Sequence, residues 1–156
     1  MKTLFKKRLP YPVSGISWLL VLIQFSLLGY LSISAPLLAS HLYALLLELG
    51  GILVAIAGLI RLNWISFSVF PEPRPDGRLE TRGIYAILRH PMYAGLMLVA
   101  IVLTTEFPSA LRITGTLLLC SVFIVKIKKE ELLLEKKYPE FQAWKKTSNR
   151  LIPFVW

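Results

Sequence analysis

A single cysteine, Cys120, among 156 residues excludes an intrachain disulfide, and its place inside an apolar run says nothing of redox compartment. Histidine is nearly as scarce, with only His41 and His90, and no Cys/His metal set is present, so no metal is expected. The chain has no Gly-x-Gly-x-x-Gly, no P-loop and no Gly-x-Ser-x-Gly elbow, which removes the usual dinucleotide, nucleotide and serine-hydrolase motifs. Nor does it show a long internal repeat, a low-complexity tract or a lipidation motif. Acidic residues number nine against 18 Lys and Arg, a formal charge of +9, yet 55% of the chain is hydrophobic and its mean hydropathy is +0.61. An apolar body with a basic rim reads as one integral membrane domain, 1–156, that lies among membrane lipids. Nucleic-acid binding would need a basic face on a soluble domain, whereas here the basic residues punctuate apolar runs.

The runs predict an all-α, multi-pass helical bundle of about four transmembrane helices at 13–35, 42–61, 91–107 and 110–127. Lys2, Lys6, Lys7 and Arg8 precede the first run, which is longer than the core of a signal peptide, so a retained span is expected. Glu48 is the lone carboxylate within the second run, where it either serves a function or finds a polar partner near the helix end. The third and fourth runs are short. They form either two full spans, with Arg112 and Lys126 snorkelling to opposite interfaces, or a re-entrant hairpin. Three alternating prolines, Pro71, Pro73 and Pro75, make the region before the third run a loop, and Asp76-Gly77 is a turn signal. Four Lys/Arg precede the first span, five lie between Arg61 and Arg89, and eight follow from Lys126, while the opposite connections hold only Arg112. The positive-inside rule therefore puts both termini and the central loop in the cytoplasm. Beyond the fourth span, residues 126–137 read as a helix continuing out of the membrane. Tyr138, Phe141 and Trp144 then recur every third residue on one face of an amphipathic C-terminal helix.

The chemistry concentrates at residues 83–95, where the loop meets the third span. Arg89 and His90 are costly to bury, Pro91 suits the first turn of a helix, and Tyr85 and Tyr93 flank them. Such residues serve either as interfacial anchors or as a site. The pattern Gly83-x-Tyr85 followed by Arg89-His90-Pro91-x-Tyr93-x-Gly95 resembles the signature of the isoprenylcysteine carboxyl methyltransferase family and its phospholipid-methylating relatives. The resemblance runs from Gly77 to the C-terminal tail, where Tyr138, Phe141, Trp144, Arg150 and Pro153 are similar to the family's aromatic ending.

That resemblance implies an S-adenosylmethionine-dependent membrane methyltransferase with a cytoplasmic active site, formed by the loop and tail at 66–93 and 126–156. By position it implicates Gly77, Arg78, Leu79, Glu80, Tyr85, His90, Pro91, Met92, Tyr93 and Glu130 in binding the methyl donor. Arg89 is the candidate for orienting the acceptor or steadying the site. Lys126 stands where eukaryotic members carry an arginine that touches a carboxylate substrate, keeping the charge without the bidentate fork. The acceptor is a lipophilic small molecule or lipid-modified substrate: an isoprenylcysteine-like carboxylate, a lipid headgroup amine, or another. The alternatives are an NADPH-dependent sterol-type reductase, which shares the Arg-His-Pro element, and a non-enzymatic membrane transporter or partner protein. A donor arriving from water and an acceptor arriving from lipid imply one chamber with two openings, a polar mouth near Arg78, Glu80 and Glu130 and a lateral gap between spans, with Lys126 where they meet.

Overall fold

The computed structural model describes residues 12–62 and 66–152. The basic flank Lys2, Lys6, Lys7 and Arg8, and Pro153 in the tail, lie outside them. Five helices follow one another: α1 (Gly15–Ile33), α2 (Leu42–Arg61), α3 (Pro91–Glu106), α4 (Ala110–Lys137) and α5 (Phe141–Thr147), with a 3₁₀ turn at Gly83–Ala86. The described residues include no strand. The hydroxyls of Ser14 and Ser109 cap α1 and α4 by accepting from the backbone N–H three residues on. Pro91 occupies the first turn of α3, where its missing N–H costs nothing.

Three helices, α1, α2 and α4, are long and apolar enough to cross a membrane, and the 16-residue α3 is shorter. The protein is a membrane helical bundle. α2 packs along α3, α3 against α4, and α4 against α1, so α1 and α2 form the two flanks. Their outer faces, including Trp18, Leu22 and Phe25 on α1 and Leu46, Leu53 and Ile60 on α2, are exposed apolar side chains suited to lipid. α3 runs nearly the length of α2, from the Pro91 contact at Gly58 to the cluster of Ala44 with Val102 and Leu103, and then returns as α4. α2 and α3 therefore run antiparallel along this seam. The α2–α3 seam is close because a Cβ on Gly95 would lie 2.3 Å from the carbonyl oxygen of Gly51.

The charges inside the bundle find partners of their own. Glu48, only 2% exposed, accepts a hydrogen bond from the Ala39 N–H at 2.9 Å, so its partner is the α1–α2 connection. Arg112 departs from the expected snorkelling: it is 3% exposed and turns inward. Its guanidinium donates to the carbonyls of Leu31 at 3.0 Å and Leu103 at 3.3 Å and to the Ser34 hydroxyl. Two helices, α1 and α3, end there, and the carbonyls of their last turns and their negative dipole ends attract a cation.

Candidate functional site

The site forms where the 3₁₀ turn, the start of α3, the last turns of α4 and the tail meet. Gly83 opens the turn at φ 59°, a left-handed conformation that glycine adopts without steric cost. The turn then presents Tyr85, whose hydroxyl donates to the Gly58 carbonyl at 3.3 Å. Phe141 and Trp144 of α5 pack on Tyr85, and the Trp144 indole N–H donates to the Tyr85 carbonyl at 2.9 Å. Tyr138 does not lie on α5 as expected: it caps the end of α4 and packs, partly buried, against the cluster that holds Phe141 and Trp144.

The backbone of the motif is held by the tail. Arg89 N–H donates to the Asn149 carbonyl at 2.7 Å, His90 N–H to the Arg150 carbonyl at 3.2 Å, and Asn149 N–H returns a bond to Ile87 at 2.9 Å. Leu88 and Asn149 therefore form a short parallel bridge. Beneath it, Glu131 gathers three side chains. Arg89 Nε donates to it at 2.9 Å, Arg150 Nη2 at 2.7 Å, and His90 Nε2 lies 3.3 Å away. Arg89 also gives its Nη1 to the carbonyls of Lys145, at 3.1 Å, and Ser148. Buried in this way, Arg89 ties the motif to the tail.

Glu130, one residue earlier, points elsewhere. Its Oε2 accepts from the Tyr93 hydroxyl at 3.3 Å and lies 3.9 Å from His90 Nδ1. Tyr93 stacks between His90 and Phe123, with ring centroids 5.8 and 5.0 Å away. Lys126, one turn back on α4, is fully buried, 5.5 Å from the Tyr93 ring centroid. Its ammonium donates to Gln24 Oε1 on α1 and to the Val69 carbonyl at 2.9 Å.

These groups surround a chamber of about 330 Å³, within the range of small-molecule sites. Every one of the twelve residues singled out in the sequence lines it: Gly77, Arg78, Leu79, Glu80, Tyr85, Arg89, His90, Pro91, Met92, Tyr93, Lys126 and Glu130. The chamber runs from Arg78 and Glu80 at the loop to Phe25, Leu28 and Leu96 among the helices. Electrostatics differ along it. Burial, with the nearby charges of Glu130 and Glu80, pushes the Tyr85 phenol up, so it stays a neutral donor. The Glu72 carboxyl is pushed up by burial but held below its ordinary value overall by hydrogen bonds from Lys129 and Ser17.

Sequence reasoning missed the contributions of Gln24, Glu72 and Glu131. Gln24 had a visible signal, a carboxamide within an uncharged run. Glu131 had only its place beside Glu130.

A family profile described as phospholipid methyltransferase matches residues 38–140. The match takes in α2, the loop, α3 and α4, and leaves out α1 and α5. No curated protein matches the chain.

Proposed function

The chain belongs to the phospholipid methyltransferase family, whose members transfer methyl groups to lipid-type substrates, and on that premise we propose that it transfers the methyl group of S-adenosylmethionine to a lipophilic acceptor at the cytoplasmic face of a membrane. The observation that carries this reading is the convergence of the loop, the motif and Glu130 on one chamber. The donor set suits the cofactor: a carboxylate for a cationic ligand beside aromatic rings that can wall an adenine. When bound, S-adenosylmethionine supplies an already activated methyl carbon, so the protein's task is mainly to position and to manage charge.

In this reading Glu130 faces the cationic part of the methyl donor, and the Tyr93 hydroxyl holds the carboxylate in place. Tyr85, Pro91 and Met92 form apolar walls, while Gly77, Arg78, Leu79 and Glu80 close the chamber at the loop. His90 is braced from both sides by Glu130 and Glu131. The contacts of Arg89 favour the steadying role over direct contact with the acceptor, because its donors are directed at Glu131, Lys145 and Ser148. Lys126 is the cation on the acceptor side. A carboxylate acceptor needs no base, whereas an amine must lose a proton, for which His90 is placed.

The test is binding of S-adenosylhomocysteine to purified protein by calorimetry, with NADPH as the control for a reductase. S-adenosylhomocysteine carries an ammonium but no sulfonium, and S-adenosylmethionine carries both. Glu130→Gln should weaken the donor by ~1.5 to 3 kcal/mol, one charge-assisted bond, while a saturated turnover changes less. Unchanged donor affinity in a folded variant would refute the assignment.

A further inference from the structure

Whatever α1 adds to the chamber lies outside the residues matched to the family. Of the buried side chains of α1, Gln24 alone lines the chamber. A carboxamide buried at 5% exposure in an apolar helix is costly unless its polar atoms are used. Its oxygen is used by Lys126. The ammonium is a donor only, which identifies the contacting atom as the amide oxygen and leaves the amide N–H₂ directed elsewhere. Nε2 donates to no group among the described residues, yet it is not among the occluded atoms without partners, Glu72 Oε2 and Arg112 Nε. Gln24 itself lines the chamber.

The Lys126 ammonium points the same way. Its two hydrogen-bond partners, Gln24 and Val69, are neutral oxygens, and the carboxylates that attract it, Glu130 and Glu72, act from beyond ion-pair distance. A buried cation held by neutral oxygens gains from an anion brought into direct contact. The chamber that Lys126 lines is walled in part by Phe25, Leu28, Phe70 and Leu96, apolar surface fit for a hydrocarbon chain.

We infer that Gln24 is a specificity-determining residue that reads the oxyanion of an amphiphilic acceptor, its N–H₂ bonding one oxygen while Lys126 meets another. The ligand class is an acyl or alkyl chain bearing an anionic group with at least two terminal oxygens, a phosphate ester or a carboxylate. The inference rests on the reading of the chamber as a methyltransferase site.

Purified wild type, Gln24→Leu and Gln24→Asn are titrated with dodecyl phosphate, dodecanoate and dodecanol, and separately with S-adenosylhomocysteine. At least one anion should bind the wild type, and the tighter of the two tells phosphate from carboxylate. Dodecanol should bind far more weakly. Gln24→Leu should lose about tenfold in anion affinity, the loss of one hydrogen bond to an ion, with Gln24→Asn in between. S-adenosylhomocysteine affinity should not change, which also reports that the variants fold. If Gln24→Leu loses it, Gln24→Asn decides by the same criterion. Equal anion affinity in wild type and variant, no anion binding at all, or dodecanol binding as tightly as the anions overturns the inference. An anion effect of the expected size in a wild type that never binds S-adenosylhomocysteine overturns the methyltransferase reading instead and leaves the oxyanion seat standing.

Discussion

Glu131 receives Arg89, His90 and Arg150 on one buried carboxylate, so a single side chain fixes the motif and the tail together. Replacing it with Gln keeps the shape and removes the charge, leaving the two arginines close together without an anion. Breaking such a buried arrangement costs ~3 to 5 kcal/mol. Glu131→Gln is expected to lower the unfolding midpoint and loosen donor binding together, whereas Glu130→Gln should affect binding and leave the midpoint nearly unchanged. Thermal unfolding alongside calorimetry separates the two. The family resemblance singled out Glu130, but the anchoring part of Glu131 was not legible in the sequence, where the two are adjacent and alike. What distinguishes them is which way each leaves α4, and the partners of Glu131 lie far along the chain at Arg89 and Arg150. Gln24 was visible as a polar residue, but its partner Lys126 belongs to the opposite end of the sequence.

Among the elements, the α2–α3 seam depends on the absence of side-chain atoms at Gly95, where a Cβ would meet the Gly51 carbonyl and the Ala55 backbone. Gly95→Val must push the helices apart and is expected to cost ~1 to 3 kcal/mol, read as a lowered unfolding midpoint. Gly50, which has open space around its Cβ position, is the control, and Gly50→Ala should be neutral or slightly stabilising. Helix positions were legible because apolar runs end at Pro, Ser and charged residues. Their neighbours were not: all the spans are apolar on several sides, and hydropathy does not tell a lipid-facing Leu from one packed in the bundle. Arg112 was misread for a similar reason, since two helix ends meeting around it are a property of the assembled bundle.

For the molecule as a whole, the Pro-rich loop is fastened to both α1 and α4. Glu72 accepts from the Ser17 hydroxyl at 2.7 Å and pairs with Lys129 at 2.8 Å, and Phe70 meets the edge of Trp18 with ring centroids 4.6 Å apart. Because the folded Glu72 carboxyl is held below its ordinary 4.5, its stabilising tie is fully present above that pH and is lost as the pH falls through the lower folded value. Trp18 fluorescence should therefore change as the loop loosens in acid, in a variant that keeps only that tryptophan. In Glu72→Gln that step should be absent. Such fastening was beyond sequence reasoning, which identified the loop by its prolines and could not say what it rests on. A different consequence follows from the bridge between Leu88 and Asn149. A protease that clips the tail ahead of Asn149 would leave α1 to α4 whole and yet strip Arg89 and His90 of the carbonyls that hold their backbone. Limited proteolysis would in that way unseat the motif without cutting any helix that carries it.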